Sequence, residues 1–224
     1  LTSSRRTVIG IDEAGRGSLV GDMFVAGVAL SDEQSKVLLD AGIRDSKALS
    51  RSTRYRLLLD IIRCSDLIVI SRVLPEDIDK ENINDLEVRA IERILKHARS
   101  RGVDPTKVVV DEIAGRRVEV ETAVRDLFPS AEVIMRPKAD KDFVQVSAAS
   151  IVAKCLRDGL IKVLSSVHGE IGSGYPSDPR TIKWLKHVKE SGSTPCCIRK
   201  SWKTLRRVQF RTLDMYAKSS EKGG

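Results

Sequence analysis

Short apolar runs alternating with amphipathic stretches organise this chain. Val8-Ile9-Gly10-Ile11 leads directly into Asp12-Glu13-Ala14-Gly15-Arg16-Gly17. Met23 to Leu30 is a second apolar run, so the pattern predicts two strands joined as a hairpin through Gly15, Gly17 and Gly21. A helix is expected from about Ser50, with Tyr55, Leu58, Leu59 and Ile62 at helical spacing. Asp66 to Leu74 reads as a third strand, and Pro75 starts a short helical turn. Asn84 with Glu87 reads as the cap of a long amphipathic helix ending near Arg101. Lys107 to Asp111 is a fourth strand. Arg116 to Phe128 is read as a helix despite the alternation Val118-Glu119-Val120-Glu121, because Ala131 to Met135 then becomes the fifth strand of a βαβ unit. Asp140 opens a further helix containing small residues. Gly169 to Pro179 is a loop, and two basic helices, about Pro179 to Glu190 and Ser201 to Tyr216, close the chain. The sum is an α/β fold, a mixed five-stranded sheet flanked by helices. A catalytic domain over 1–178 and a basic helical region over 179–224 packed on it are expected.

Composition narrows the class. The 224 residues suffice for one well-buried domain, and 31% charged with 41% apolar residues fits a soluble α/β protein. The longest clean apolar run, Leu67 to Ile70, is far too short for a bilayer, and residues 1–6 carry no apolar signal core. Cys64, Cys155, Cys196 and Cys197 show no CxxC spacing and the three histidines are scattered, which excludes a disulfide framework or zinc site as the organising feature. A cytoplasmic protein with reduced thiols, a monomer with no membrane association, is expected. From Arg180 to Lys218 eleven lysines and arginines face two acids, so the last fifth of the chain carries the whole net charge of +8. Such segregation suits a polyanion, or else a solvated helix face.

The candidate chemistry lies where apolar runs end on acids. Asp and Glu are depleted in strands and costly near a core unless a cation neutralises them. Here Asp12 and Glu13 end the first strand, Asp111 ends the fourth, and Asp140 follows the fifth. Convergent carboxylates repel one another, and with only oxygen ligands on offer the fitting cofactor is Mg²⁺ or Mn²⁺. Such a pair of ions would suit in-line phosphodiester hydrolysis. Gly15-x-Gly17 is not a dinucleotide fingerprint, because Val20 stands at the third glycine and a strand follows. No Gly-x-Ser-x-Gly elbow or Walker loop is present.

Several motifs in order, Gly10-Ile11-Asp12-Glu13-Ala14-Gly15-Arg16-Gly17, Asp45-Ser46-Lys47, Lys138-Ala139-Asp140, Ser147-Ala148-Ala149-Ser150-Ile151 with Ala153-Lys154, and Gly174-Tyr175-Pro176-Ser177-Asp178, together resemble type 2 ribonuclease H, ribonuclease HII. Arg199-Lys200-Ser201-Trp202-Lys203-Thr204 resembles its archaeal branch. The resemblance implies a ribonuclease H-like fold and cleavage of the RNA strand of RNA/DNA hybrids and at ribonucleotides embedded in duplex DNA, leaving 3′-hydroxyl and 5′-phosphate ends. It places the metal-binding, catalytic acids on Asp12, Glu13, Asp111 and Asp140, the reader of 2′-hydroxyls on Gly15, Arg16 and Gly17, and a junction-sensing tyrosine on Tyr175. Ser18 and Asp22 depart from it, standing where the family usually carries proline, and Phe143-Val144 replaces a common Tyr-Pro. These departures predict looser backbone near the site.

Physical roles for the substrate-binding candidates follow from their chemistry. Glycines at 15 and 17 let backbone approach a ribose, whose 2′-hydroxyl separates RNA from DNA. Arg16 can grip phosphate with a fork, and Lys47 and Lys138 can do so as point charges, though each lysine is equally an ordinary loop residue. Tyr175 is either a loop anchor or a contact to sugar. Two other classes stay open: a related metal nuclease acting on DNA alone, and a noncatalytic nucleic-acid-binding relative. A sliding-clamp tail at Gln209 to Tyr216 is conceivable, although Thr212 stands where such motifs want an aliphatic residue.

Overall fold

The computed structural model describes residues 6–43, 49–202 and 205. Strands β1 (Thr7–Ala14), β2 (Met23–Ser31), β3 (Leu67–Val73), β4 (Lys107–Asp111) and β5 (Glu132–Arg136) form one sheet in the order β3-β2-β1-β4-β5. β1 pairs antiparallel with β2, and β2 with β3, while β1 with β4 and β4 with β5 are parallel. Parallel neighbours need a crossover, and the helices provide it.

Alternation along the strands separates the two cores. Ile9, Ile11 and Val25 pack with α4 (Ile83–Ser100) and α5 (Arg117–Leu127) through Ile91, Ile94, Val120 and Val124. On the other face Ala26, Val28 and Leu30 meet α1 (Asp32–Asp40), α2 (Arg51–Cys64) and α6 (Val144–His168) through Leu38, Leu57, Ile61 and Ala149. α3 (Pro75–Lys80) precedes α4, and α7 (Pro179–Ser191) makes a smaller third core in which Trp184 and Leu185 pack with Leu19, Val20 and Ile198. None of the helices among the described residues is long and apolar enough to cross a membrane.

The sheet and α6 touch at backbone level. A Cβ on Gly10 would lie 2.2 Å from the Gln145 carbonyl carbon and 2.3 Å from the Val146 nitrogen, so the start of α6 lies directly on the middle of β1. No side chain fits between them.

Four expectations need correction, and a fifth lies outside the described residues. α1 is an element the apolar pattern did not predict; its marker is a capping box in which Ser31 and Gln34 exchange hydrogen bonds with each other's backbone. The buried residues of α2 are Leu57 and Ile61, whereas Tyr55, Leu59 and Ile62 are exposed. The N-cap of α4 is Asn82, whose side chain accepts from Asn84 N, so Asn84 and Glu87 do not form the cap. Asp140 lies in a separate 3₁₀ turn (Ala139–Lys141), and α6 begins only at Val144. The expected last helix, Ser201 to Tyr216, falls outside the described residues apart from 201, 202 and 205.

Gly10→Ala is therefore expected to force α6 off β1 and to destabilise the protein by at least about 3 kcal/mol, since backbone cannot yield as a side-chain tip can. Thermal unfolding of the variant against wild type measures it.

Candidate active site

Parallel pairing of β1 with β4 aligns Ile11 with Val110, so Asp12 and Asp111 emerge side by side at the same end of the sheet. Asp12, Glu13 and Asp111 line one small cleft there, and a fourth acid, Glu87 of α4, shares its wall. Alternation sends Asp12 toward α6 and Glu13 toward α4. The pairing of β1 with β4 stops at Ile11 and Val110, just before these acids, while β1 stays paired with β2 to Ala14.

Asp12 is 8% exposed, and its Oδ1 accepts from Glu13 N at 2.8 Å. The Ser150 hydroxyl of α6 approaches the same carboxyl without completing ordinary hydrogen-bond geometry. Burial, then the neighbouring Glu13 charge, push the Asp12 carboxyl well above the usual carboxylate range. Asp111 is less buried; its Oδ1 accepts from Glu112 N at 3.1 Å and from Ala139 N at 3.2 Å. That second bond ties the 3₁₀ turn carrying Asp140 to the end of β4. Asp140 itself is buried, its carbonyl accepts from the Ser147 hydroxyl, and it borders a second hollow of about 310 Å³ with Phe143 and Ser147. The acids share one end of the sheet without closing into a cage: among the described residues no three His, Cys, Asp or Glu side chains stand ready to hold an ion.

Beside the acids, residues 15–22 form a turn pinned from several sides. Gly15 has φ +94°, and a Cβ on it would meet the Asp22 carbonyl oxygen at 2.7 Å and Arg157 Cδ at 2.9 Å. Gly17 differs: it is exposed, and a Cβ there would point into open space. The Ser18 hydroxyl donates to Gly15 O at 2.9 Å, and buried Asp22 pairs with Arg72 of β3. Hydrogen bonds and an ion pair thus hold the turn where prolines were expected, so the two departures do not leave it loose.

Tyr175 lies against the same turn. Its ring covers the Arg157 guanidinium, 4.1 Å from the ring centroid, while Arg157 Nη2 donates to Ser173 O at 2.7 Å. Leu19 N donates to Gly174 O at 2.8 Å, which ties the Tyr175 loop to the glycine turn. Asp178, the N-cap of α7, accepts from Ser173 N at 2.7 Å, and hydrogen bonds from Arg180, then from Ser173, hold its carboxyl well below the usual range. Arg199, fully buried, donates from Nε to Gly21 O at 2.9 Å and from Nη1 to Arg16 O at 3.0 Å. Burial, then the nearby Arg157 charge, lower it to about 10, so it stays cationic at neutral pH.

The structure therefore brings together Asp12, Glu13, Asp111, Gly15, Arg16 and Gly17, sets Asp140 one hydrogen-bonded turn away, and places Tyr175 across the glycine turn. The Arg16 fork is engaged by Asn84 and Glu87. Lys138 is exposed in a left-handed conformation with φ 57°, at the start of the Asp140 turn. Lys47 lies outside the described residues. Sequence reasoning missed Glu87, Arg157 and Arg199 as site residues. Glu87 was read as a helix cap, Arg157 stood unnoticed in the small-residue helix, and Arg199 was counted with the basic tail although it is the largest fully buried side chain.

Comparison with known proteins gives the family and the fold. The family model described as Ribonuclease HII matches residues 9–205. The chain belongs to the ribonuclease HII family. A ribonuclease HII of Sulfurisphaera tokodaii is 43% identical over 202 residues, covering 90% of this chain and 95% of that protein. The crystal structure of ribonuclease H2 from Pyrococcus horikoshii OT3 superposes with a TM-score of 0.79 at 35% identity, covering 91% and 97% of the two chains. A structure of the PCNA:RNase HII complex from Archaeoglobus fulgidus gives 0.79 at 34% identity, covering 92% and 98%. Membership makes the chain a ribonuclease H, an endoribonuclease acting on RNA/DNA hybrids.

The raised Asp12 pKa has a sign that can be tested. The folded protein holds the Asp12 proton more tightly than the unfolded chain, so this contribution to stability is full below the ordinary carboxylate range and is lost as pH rises through the raised value. In chelator at neutral pH, Asp12→Asn should raise the melting temperature, each kcal/mol being worth about 2–4 °C, and flatten the dependence on pH. Melting curves from acidic to neutral pH check both.

Proposed function

We propose that this chain is a metal-dependent endonuclease that cuts the RNA strand of hybrids and the 5′ side of ribonucleotides embedded in duplex DNA, leaving 3′-hydroxyl and 5′-phosphate ends. The observation that carries the reading is the meeting of buried carboxylates with a glycine turn whose Gly17 faces open space. Gly15 is a glycine for internal reasons, its φ and its contact with Arg157, but nothing among the described residues requires one at Gly17. Room at that point suits a ribose laid against the backbone.

The donor set fits a hard divalent cation, since a carboxyl as buried as Asp12, with Glu13 beside it, is relieved by positive charge. Asp12, Glu13, Asp111 and Asp140 would hold Mg²⁺ or Mn²⁺. Ions held there would supply activation of water and stabilisation of the leaving oxygen of a phosphodiester. The protein's own residues supply selection and alignment. Backbone groups of Gly15 to Gly17 exchange hydrogen bonds with a 2′-hydroxyl, and Tyr175, braced on Arg157, packs against the following sugar and favours deoxyribose there. Lys47, together with the exposed Lys138 and the basic region from 179 onward, provides phosphate contacts away from the cut. That region is read as an extension of the catalytic part. The Archaeoglobus complex supports a test for sliding-clamp binding, for which the sequence offers Gln209 to Tyr216 as the candidate segment.

One assay tests the reading: matched all-DNA, hybrid and single-ribonucleotide duplexes, each with Mg²⁺, Mn²⁺ or chelator. A metal-requiring cut 5′ of the lone ribonucleotide is expected, with the all-DNA duplex intact. Cleavage of all-DNA duplex would establish the DNA-nuclease alternative instead, and a 3′ cut would point to another ribonuclease H class.

Two substitutions sharpen it. Gly17→Ala should leave stability within about 0.5 kcal/mol, as at other open surface positions, yet impair cleavage at a single ribonucleotide. Tyr175→Ala should lower junction cleavage more than duplex affinity, because it removes a positioning contact rather than a phosphate contact. Melting curves, anisotropy binding and product mapping at nucleotide resolution separate these effects.

A further inference from the structure

The Arg16 side chain turns into the protein. Its guanidinium donates to Asn84 Oδ1 and pairs with the Glu87 carboxylate, two residues three apart on one side of α4. Glu87 is only 4% exposed and lies in the wall of the cleft formed by Asp12, Glu13 and Asp111. A carboxylate so placed is costly unless paired, and its ion-pair partner is Arg16. Asn84 extends the contact: its amide nitrogen donates to Ala114 O at 3.1 Å, three residues beyond Asp111. The central residue of the glycine turn is thereby fastened to α4 and to the segment leaving β4. Because both grips use one planar fork, a lysine could keep the charge but not both contacts.

We infer that Glu87 is a positioning residue for cleavage: it anchors Arg16, and through Arg16 it sets the backbone of Gly15 to Gly17 at a fixed distance from the acids. Arg16 is then an internal strut and not a phosphate grip, and the ribose is read by backbone alone. Its cation also offsets a fourth negative charge in a cleft already lined by three. The inference rests on the functional reading above, because the distance matters only if a ribose is read next to the bond that is cut. The competing role for Glu87, given its place in the cleft wall, is as a metal ligand.

The test compares wild type, Glu87→Gln, Arg16→Lys and the double variant on the single-ribonucleotide duplex across a Mn²⁺ titration, with chelator-state anisotropy binding to that duplex and to its all-DNA match. Glu87→Gln is expected to lower kcat/KM at the ribonucleotide roughly 10- to 100-fold, as a small misplacement does. It should also erase the binding preference for the ribonucleotide duplex without weakening all-DNA binding. Its half-saturating Mn²⁺ should stay within about threefold of wild type, and the double variant should be no worse than the worse single one. Unchanged discrimination in Glu87→Gln, additive losses, or a half-saturating Mn²⁺ raised about tenfold or more with discrimination intact would each overturn the inference, the last by making Glu87 a ligand. Arg16→Lys keeps the pair's charge and carries the test should Glu87→Gln fail to fold. A wild type that cuts while both single variants match it defeats this inference alone; a wild type that does not cut the single-ribonucleotide duplex defeats the functional reading and this inference with it.

Discussion

The arrangement of the acids at one end of the sheet depends on the absence of a side chain at Gly10. With α6 lying on β1 at backbone distance, Ser147 and Ser150 reach the acids, and the turn before α6 must fold back over the end of β4. That is how Asp140, distant in sequence from Asp12, comes to lie one hydrogen-bonded turn from Asp111. A larger residue would lift the helix and part the acids, and the electrostatic strain on Asp12 would lose its geometric cause.

Much of this was legible in the chain. The five strands were marked by apolar runs with matching ends, because buried strands of a mixed sheet leave uninterrupted Val, Ile and Ala. The acids stood out because charge at the end of such a run needs a reason. What could not be read were contacts that depend on the third dimension. Asn84 and Glu87 carry the signature of a capping box, yet the cap belongs to Asn82, since Arg16 arrives from elsewhere to claim both side chains. On α2, apolar residues lie on more than one side, so spacing alone did not say which face turns inward.

The arginines teach a related lesson. Counting them as a patch for polyanions treats charge as surface, but Arg157 and Arg199 are buried beneath the glycine turn and the Tyr175 loop, where they brace backbone carbonyls and the Tyr175 ring. Arginine suits that task because its planar fork satisfies several acceptors while remaining charged. Net charge therefore overstates what faces a nucleic acid, and part of the positive charge in this fold acts as internal scaffolding.

The Asp22–Arg72 pair carries a consequence for how this chain can change over time. Proline stiffens a turn through its own ring and its effect on the residue before it, a change confined to adjacent positions in the chain. An ion pair divides the same task between positions fifty residues apart, so replacement of Arg72 alone leaves a buried carboxylate stranded in the glycine turn, while replacement of Asp22 alone gives up the pair's hold on the turn but strands no buried charge, since Arg72 is exposed. The two sites are thus linked by one-way epistasis: in related lineages, position 72 should abandon its cation only after position 22 has given up its acid.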